Sequence, residues 1–561
     1  MNQPQTTLHP DAVPHTHEVR NQPPPLTDYN AFDGDTALCE AVQREGAQWA
    51  RDTLSEAGAR TGSAEVIEWG YLANECKPQL HAFDRQGHRI DTVRYHDSYH
   101  KLMAMSLEAG LHCSPWTQPG PGAHVARAAR EYLHAQVDAG HGCPVTMTFA
   151  SVPAIRTTPA LAESWLPKIL TPGYDPRNVP HTEKQSLTIG MGMTEKQGGS
   201  DVRSNTTRAW PVGRETGSGA AYELLGHKWF TSAPMCDGFL MLAQSTGGLS
   251  CFLVPRWRPD GTKNPMQIQR LKNKSGNVSN ASSEIELRGA LGWMVGDEGR
   301  GVPAIIQMVA MTRFDCMVGS TAGMRQAVAQ AIHHCQHRAA FGKTLAEQPA
   351  MANVLADLQL EVEGALALTM RMARALDHAD DPHEKLLLRL GLPVGKYWIC
   401  KRHPGHAYEA MECIGGNGVM DDFIMARIYR DAPINAIWEG SGNVQAMDLL
   451  RAMAKSPDAV AAWFVELEQA RGAHPLLDAA VDQLSSALED RDDLEYRARS
   501  LTEAMALTMQ AAQLVRAGNR TVSEAFIQSR LAGPTAHHFG TLPRGVDVQT
   551  LMERGNPLAT E

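Results

Sequence analysis

Between residues 36 and 180, stretches such as TALCEAVQREGAQWARDTLSEAG and GAHVARAAREYLHAQVDAG set apolar residues three and four positions apart among strong helix formers. That is the period of amphipathic helices, and it predicts an all-helical unit. Near 185 the pattern changes. SLTIGMGM, AYELLG, GFLMLAQS, LSCFLVPRW and SSEIELRG are short apolar or alternating runs separated by Gly, Pro, Asn and Asp. They predict a β unit large enough for one small barrel or sandwich. From about 300 the helical period returns in long segments of the kind that build bundles, and 444–561 continues helical into a Gly/Pro-containing tail. Helix, then strand, then helix, without alternation, argues against a parallel doubly wound sheet. The expected organisation is an extended or partly disordered proline-rich arm over 1–35, a helical N-terminal domain over 36–185, a β domain over 186–295, a helical bundle over 296–450 and an additional helical domain over 451–561.

Composition narrows the function classes. A chain of 561 residues is too long for one core. Its net charge of −10 gives no global basic field, so any nucleic-acid contact has to come from a local patch. Ten cysteines without a CxxC pair indicate neither a zinc ribbon nor a disulfide framework, and fit a reducing compartment. MNQPQTTLHPDAVPHTHEV lacks a basic start followed by an apolar stretch, and no run of 18 apolar residues occurs. A cytoplasmic protein without membrane contact is therefore expected. His333, His334 and His337 crowd before RAAFG without a carboxylate or Cys to complete a three-ligand site, so no metal is expected.

Three stretches carry candidate chemistry. GMGMTEKQGGSDVRSNTT (190–207) offers hydroxyls and backbone N–H groups at a turn whose small residues admit a planar or phosphorylated ligand; a plain glycine-rich β turn is the alternative. GHKWFTS (226–232) joins aromatic rings to hydroxyls, which suits an aromatic cofactor or a barrel core. IWEGSGN (437–443) wedges the Glu439 carboxylate beside an indole, where lost hydration raises a carboxyl pKa into the range of a working base. The alternative is an acid in the first turn of a helix, favoured by the helix dipole.

The ordered set MTEKQGGSD, HKWFTS, QHRAAFGKTLAEQ, GGNGV and IWEGSGN resembles the acyl-CoA dehydrogenase superfamily of flavoproteins. GMGMTEKQGGSDVRSNTTRA, LSCFLVPR and MTRFDC look closest to its branch from the bacterial adaptive response to DNA alkylation. The resemblance implies FAD, an acyl-CoA dehydrogenase-like fold and an added helical C-terminal domain. It implies that Met193, Thr194, Gly199 and Ser200 follow the flavin and ribityl-phosphate, and that Trp229 packs on the flavin with Thr231 near its N5, flanked by Phe230 and Ser232. Arg338, Phe341 and Gln348, with Gly415, Gly416 and Gly418, match positions that contact the FAD of a neighbouring subunit, which implies a homotetramer built as a dimer of dimers. Glu439 matches the catalytic base and Arg313 an arginine beside it; Trp438, Gly440, Ser441 and Asn443 complete the flavin contacts. Intrahelix or interhelix ion pairing of Arg313 and Asp315 is the competing reading of MTRFDC.

The 118 residues after Asn443 set the chain apart from most dehydrogenases of this superfamily. Within 496–544, six Arg meet only Glu503 and Glu524, a local excess that fits phosphate contacts or, alternatively, salt-bridged surface. The resemblance assigns DNA contact to Arg451 and Arg530, and Arg516 and Arg520 fall in the same stretch. Two functions follow: a flavoprotein of the alkylation response that binds double-stranded DNA, protecting it or destroying alkylators, with weak acyl-CoA dehydrogenase activity; or a metabolic dehydrogenase for short branched acyl-CoA.

Overall fold

The computed structural model describes residues 17–533 and 538–558. Helices Thr36–Arg44, Arg51–Thr61, Ala64–Glu75, Asp97–Glu108, Ala123–Val137 and Gly142–Arg156 open the chain. The region is not all helical. Strands Gln79–Phe83 and Arg89–Arg94 form an antiparallel hairpin, because Asp84 and a left-handed Gly87 (φ +90°) supply a tight turn between two short alternating runs. Nor is the arm loose from residue 17 onward: Phe32 is fully buried, Asp28 accepts from the Ala64 N–H at 2.9 Å, and His333 bonds the Pro24 carbonyl at 2.8 Å.

The β unit is a closed barrel. Gly238–Ser245 pairs with Gly248–Pro255, which pairs with Ser282–Val295, then Ala221–Ser232, then Arg208–Pro211, and the Arg208–Gln244 pair returns to the first strand. Its core is sealed by the helices Gly142–Arg156 and Pro159–Ile169 and by Ile305 and Met308. Those two belong to the central helix, Gly301–His337, which joins barrel to bundle. One stretch of that helix is long and apolar enough to cross a membrane, but half of it is buried within this protein, against the long helices Pro349–Asp377 and Pro382–Ile414.

The segment from 451 onward is helical as expected, but it is not an appended unit. Trp463, Met505, Met509 and Phe526 lie in the same core as Leu358, Val362 and Leu368 of the bundle. Gly364 admits the Phe526 ring so closely that a Cβ there would stand 2.6 Å away. Buried ion pairs reinforce this joint. Arg530 donates to Asp357 at 2.5 Å and to Glu361 at 3.2 Å; Arg516 pairs with Glu466, which also takes Arg371 at 2.7 Å; Arg554 clamps Glu40 and Glu363. Burial opposes ionisation, but Arg402 and Arg530 hold Glu361 at about 2, and Arg371 and Arg516 hold Glu466 at about 2.

Arg530→Ala strands Asp357 inside the joint and is expected to cost about 3 kcal/mol, read as a lower urea midpoint at unchanged slope. Glu361 and Glu466 both have folded pKa values below their unfolded ones, so their stabilisation is complete above the ordinary Glu pKa. It disappears as pH falls from about 4.5 towards 2, and urea midpoints measured across that window should drop steeply.

Candidate active site

One cavity of about 1190 Å³ lies between barrel and bundle. Its barrel wall begins with the 193–200 turn. Glu195 anchors that turn from below, fully buried, accepting from Lys228 Nζ at 2.8 Å and from the Thr206 and Thr207 N–H groups at 2.7 and 3.1 Å. Burial works against its charge, but Lys228 and the Thr207 hydrogen bond keep its carboxyl well below the usual range. Above it Met193, Thr194, Gly199 and Ser200 face the cavity. Gly198 stands at φ +136° with open space where a Cβ would be, whereas a Cβ on Gly199 would lie 2.4 Å from Thr194 Oγ1, so the turn packs against Thr194 only with glycine there.

The next wall is the end of the strand Ala221–Ser232, where the register slips between Lys228 and Thr231. Phe230 and Ser232 line the cavity, whereas Trp229 and Thr231 do not. The Thr231 hydroxyl is buried and without a hydrogen-bond partner, and the Trp229 ring lies 3.2 Å beneath Lys272 Nζ. Lys272 Nζ also stands 4.5 Å from the Phe230 ring, so both rings of HKWFTS meet a lysine of the cavity wall.

Opposite stands the turn 438–440. Glu439 occupies the left-handed region at φ +57°, a conformation that costs on the order of 1–3 kcal/mol for a residue with a Cβ. It is not in a helix: the helix Gly442–Lys455 starts three residues later, with Ser441 at its N-cap. Side chains hold the turn. Lys396 Nζ donates to the Trp438 carbonyl at 2.7 Å and the Gly440 carbonyl at 2.5 Å, while Arg313 Nε and Gln445 Nε2 donate to the Glu439 carbonyl at 3.2 and 2.9 Å. Glu439 Oε2 accepts from Thr312 Oγ1 at 2.9 Å. Burial pushes the Glu439 pKa up, against the opposing pull of the Thr312 hydroxyl, Lys396 and Arg313. A desolvated carboxylate whose proton affinity is raised, aimed into a ligand cavity, is a base for a weakly acidic C–H.

Arg313 pairs with Asp448 at 2.7 Å, and Asp315 with Arg127 at 2.6 Å, so both residues form the interhelix ion pairs of the competing reading, while Arg313 also touches the Glu439 turn. Trp438, Gly440 and Ser441 line the cavity; Asn443 is exposed on the next helix and does not. Arg338, Phe341, Gln348, Gly415, Gly416 and Gly418 also lie off this chain's cavity, with Phe341 at a hairpin tip, 99% exposed. Of the DNA candidates, Arg451 reaches the cavity mouth, Arg520 is exposed but bonded to Glu524 at 2.6 Å, and Arg516 and Arg530 are tied into the internal pairs described above, which does not fit DNA contact. Thr312, Lys396 and Gln445 are functional positions that the sequence reading missed. Thr312 adjoins Arg313 in MTRFDC and could have been found there; Lys396, 43 residues before the base, carries no local signal.

The order of helical region, barrel and bundle, with a carboxylate turned into the cleft between the last two, defines an acyl-CoA dehydrogenase. The chain belongs to this family: it matches the acyl-CoA dehydrogenase middle domain over residues 190–290 and C-terminal domain over 299–454, and the adaptive response protein AidB N-terminal domain over 21–176. It is 46% identical to the putative acyl-CoA dehydrogenase AidB of Escherichia coli K12, over 92% of this chain and 94% of that protein. Caenorhabditis elegans ACDH-11, solved in complex with C11-CoA, superposes with TM-score 0.84 at 26% identity, covering 92% of this chain and 93% of that one. A Bacillus anthracis acyl-CoA dehydrogenase complexed with FAD shares the fold, with TM-score 0.63 at 18% identity over 77% of this chain and 80% of its own.

The protein is thus an FAD-dependent oxidoreductase of the acyl-CoA dehydrogenase type. The residues fit the cofactor: the cavity is ample, Gly198 leaves open space in the turn, Phe230 presents an aromatic face, and Thr194, Ser200, Ser232, Lys272 and Arg203 supply donors. Bound there, FAD supplies a hydride acceptor. The chain itself orients Glu439 through the three carbonyls of its turn and gives its carboxylate a raised proton affinity, so that it could accept a proton there.

Thr312→Val removes a hydrogen bond that favours the ionised base. The acid limb of the kcat/KM pH profile should move up by about one unit or more, while the alkaline plateau changes little.

Proposed function

We propose that this protein dehydrogenates an acyl-CoA thioester, Glu439 removing the α proton as the β hydrogen leaves as hydride. The observation that carries the reading is the half-buried Glu439 carboxylate, held at a strained turn in the cavity that also presents Phe230 and the 193–200 turn. The likeness to ACDH-11, solved with C11-CoA, supports an acyl-CoA ligand. Mixing acyl-CoA with flavin-loaded protein should bleach the flavin. Glu439→Gln, isosteric but unable to accept the proton, should leave the protein yellow and slow bleaching by at least about a thousandfold; unchanged bleaching contradicts the assignment.

A role in the alkylation response, with binding of double-stranded DNA, rests on the relation to AidB and on the charge at the cavity mouth. Asp448 is shared among Arg313 at 2.7 Å, Arg389 at 3.2 Å and Arg451 at 3.9 Å, so one carboxylate faces three guanidiniums. Exposed Lys401 and Arg499 flank Tyr397 nearby, and Lys455 lines the same mouth. This rim, rather than Arg516 and Arg530, is the surface we assign to phosphate. A homotetramer fits Phe341, exposed at its hairpin tip, and the 415–418 loop, which lie off their own cavity and match positions that the family resemblance gives to a neighbouring subunit's FAD. Binding of a short duplex should weaken with salt, and Arg451→Ala should reduce the slope of log K against log salt by about one unit. A salt-insensitive affinity, or none at low salt, removes the DNA role.

A further inference from the structure

The cavity does not end at the base. Thr312, Cys316, Gly319, Gly323 and Gln326 all line it, at alternating spacings of four and three that fall on one face of the central helix. Fourteen residues separate the first from the last, about 21 Å at 1.5 Å per residue, so a groove continues past Glu439 deep into the bundle. Two of its five positions are glycine: Gly319 leaves room along the face, while Gly323 takes the His403 ring, whose Cε1 stands 2.3 Å from where a Cβ would be. Its outer half, beside Val302, Ile305, Ile306 and Val309, is apolar.

The inner end is polar. Glu131, Gln136, Gln326, His403 and Arg427 line it, each less than a tenth exposed. Glu131 Oε2, both ring nitrogens of His403 and Arg427 Nη1 have no hydrogen-bond partner among the described residues. Native interiors rarely leave so many buried polar atoms together without a ligand or water to meet them. The lobe suits a neutral group rather than an ion. Burial keeps His403 neutral, with its pKa down at about 3, and pushes Glu131 up to about 7, where it is partly protonated and able to donate. A carboxylate would meet Asp138 and Asp431 on the same lining, and an ammonium would meet Lys274 and Arg427.

From this we propose that the inner lobe recognises a medium or long acyl chain carrying a neutral hydrogen-bonding group, a hydroxyl or amide, far from the thioester. The proposal rests on the acyl-CoA reading and names its substrate class: not a short branched acyl group, but a chain polar at its far end. The hydroxyl would donate to or accept from His403 and Glu131, while the methylenes lie along Cys316, Gly319 and Gly323.

The test is calorimetric titration of the flavin-loaded protein with dodecanoyl-CoA, ω-hydroxydodecanoyl-CoA and isovaleryl-CoA, with flavin bleaching recorded in parallel. The hydroxylated thioester should bind at least fivefold more tightly than the plain chain, and the plain chain more tightly than isovaleryl-CoA. His403→Leu should abolish or reverse the preference for the hydroxyl and leave isovaleryl-CoA binding unchanged; Gln326→Leu serves if that variant does not fold. Equal or tighter binding of the plain chain to the wild type overturns the proposal, because the lobe is then merely hydrated. A hydroxyl preference without bleaching by any of the three overturns the dehydrogenase reading and leaves the pocket assignment standing. No binding of any thioester overturns both.

Discussion

The turn Trp438–Glu439–Gly440 is unfavourable on its own, since it forces a residue with a Cβ into the left-handed region and a second positive φ at Gly440. It persists because Lys396 bridges the first and third carbonyls while Arg313 and Gln445 take the second. Lys396 is 1% exposed and belongs to the helix Pro382–Ile414, and Arg313 to the central helix, so the turn's shape is set by how two bundle helices pack. Thr312 and Arg313 are adjacent on that helix and have separate roles, since Thr312 holds the carboxylate and Arg313 the carbonyl behind it. The base is therefore oriented by the bundle, and the barrel brings the cofactor wall to meet it.

The same burial that makes Glu439 a useful base makes the surrounding charges unfavourable unless paired. The structure answers with ion pairs that reach across segments distant in sequence: Arg127 to Asp315, Arg530 to Asp357, Arg554 to Glu40 and Glu363. They weld the C-terminal helices and the first helix of the chain to the bundle. At the mouth the balance tips the other way, with three arginines sharing Asp448. A positive mouth leading to a desolvated carboxylate suits a ligand with phosphate at one end and a reactive carbon at the other.

The order of helical, β and helical regions was legible because hydrophobic periodicity changes sharply at 185 and 300. So was the carboxylate turned into the cavity, because IWEGSGN is local: the residues that shape its turn include its own neighbours. Three features were not legible. Trp229 is the more conspicuous ring in HKWFTS, but the strand slips its register between Lys228 and Thr231, and Phe230 and Ser232 are the residues of that stretch that line the cavity. The arginine excess over 496–544 is real as a count, yet its counter-charges, Asp357, Glu361 and Glu466, lie outside that window, so a window sum could not find them. The Gln79–Arg94 hairpin is too short to disturb a helical average.

The most direct test of the central claim is to follow the α hydrogens of a saturated acyl-CoA by NMR in D2O with the flavin-loaded protein and with Glu439→Gln. The account predicts deuterium exchange at the α carbon with the wild type and its loss in the variant, with both proteins still binding the thioester. Exchange that persists without the carboxylate, or a wild type that reduces its flavin without exchanging the α position in a variant-dependent way, would contradict the assignment of Glu439 as the base.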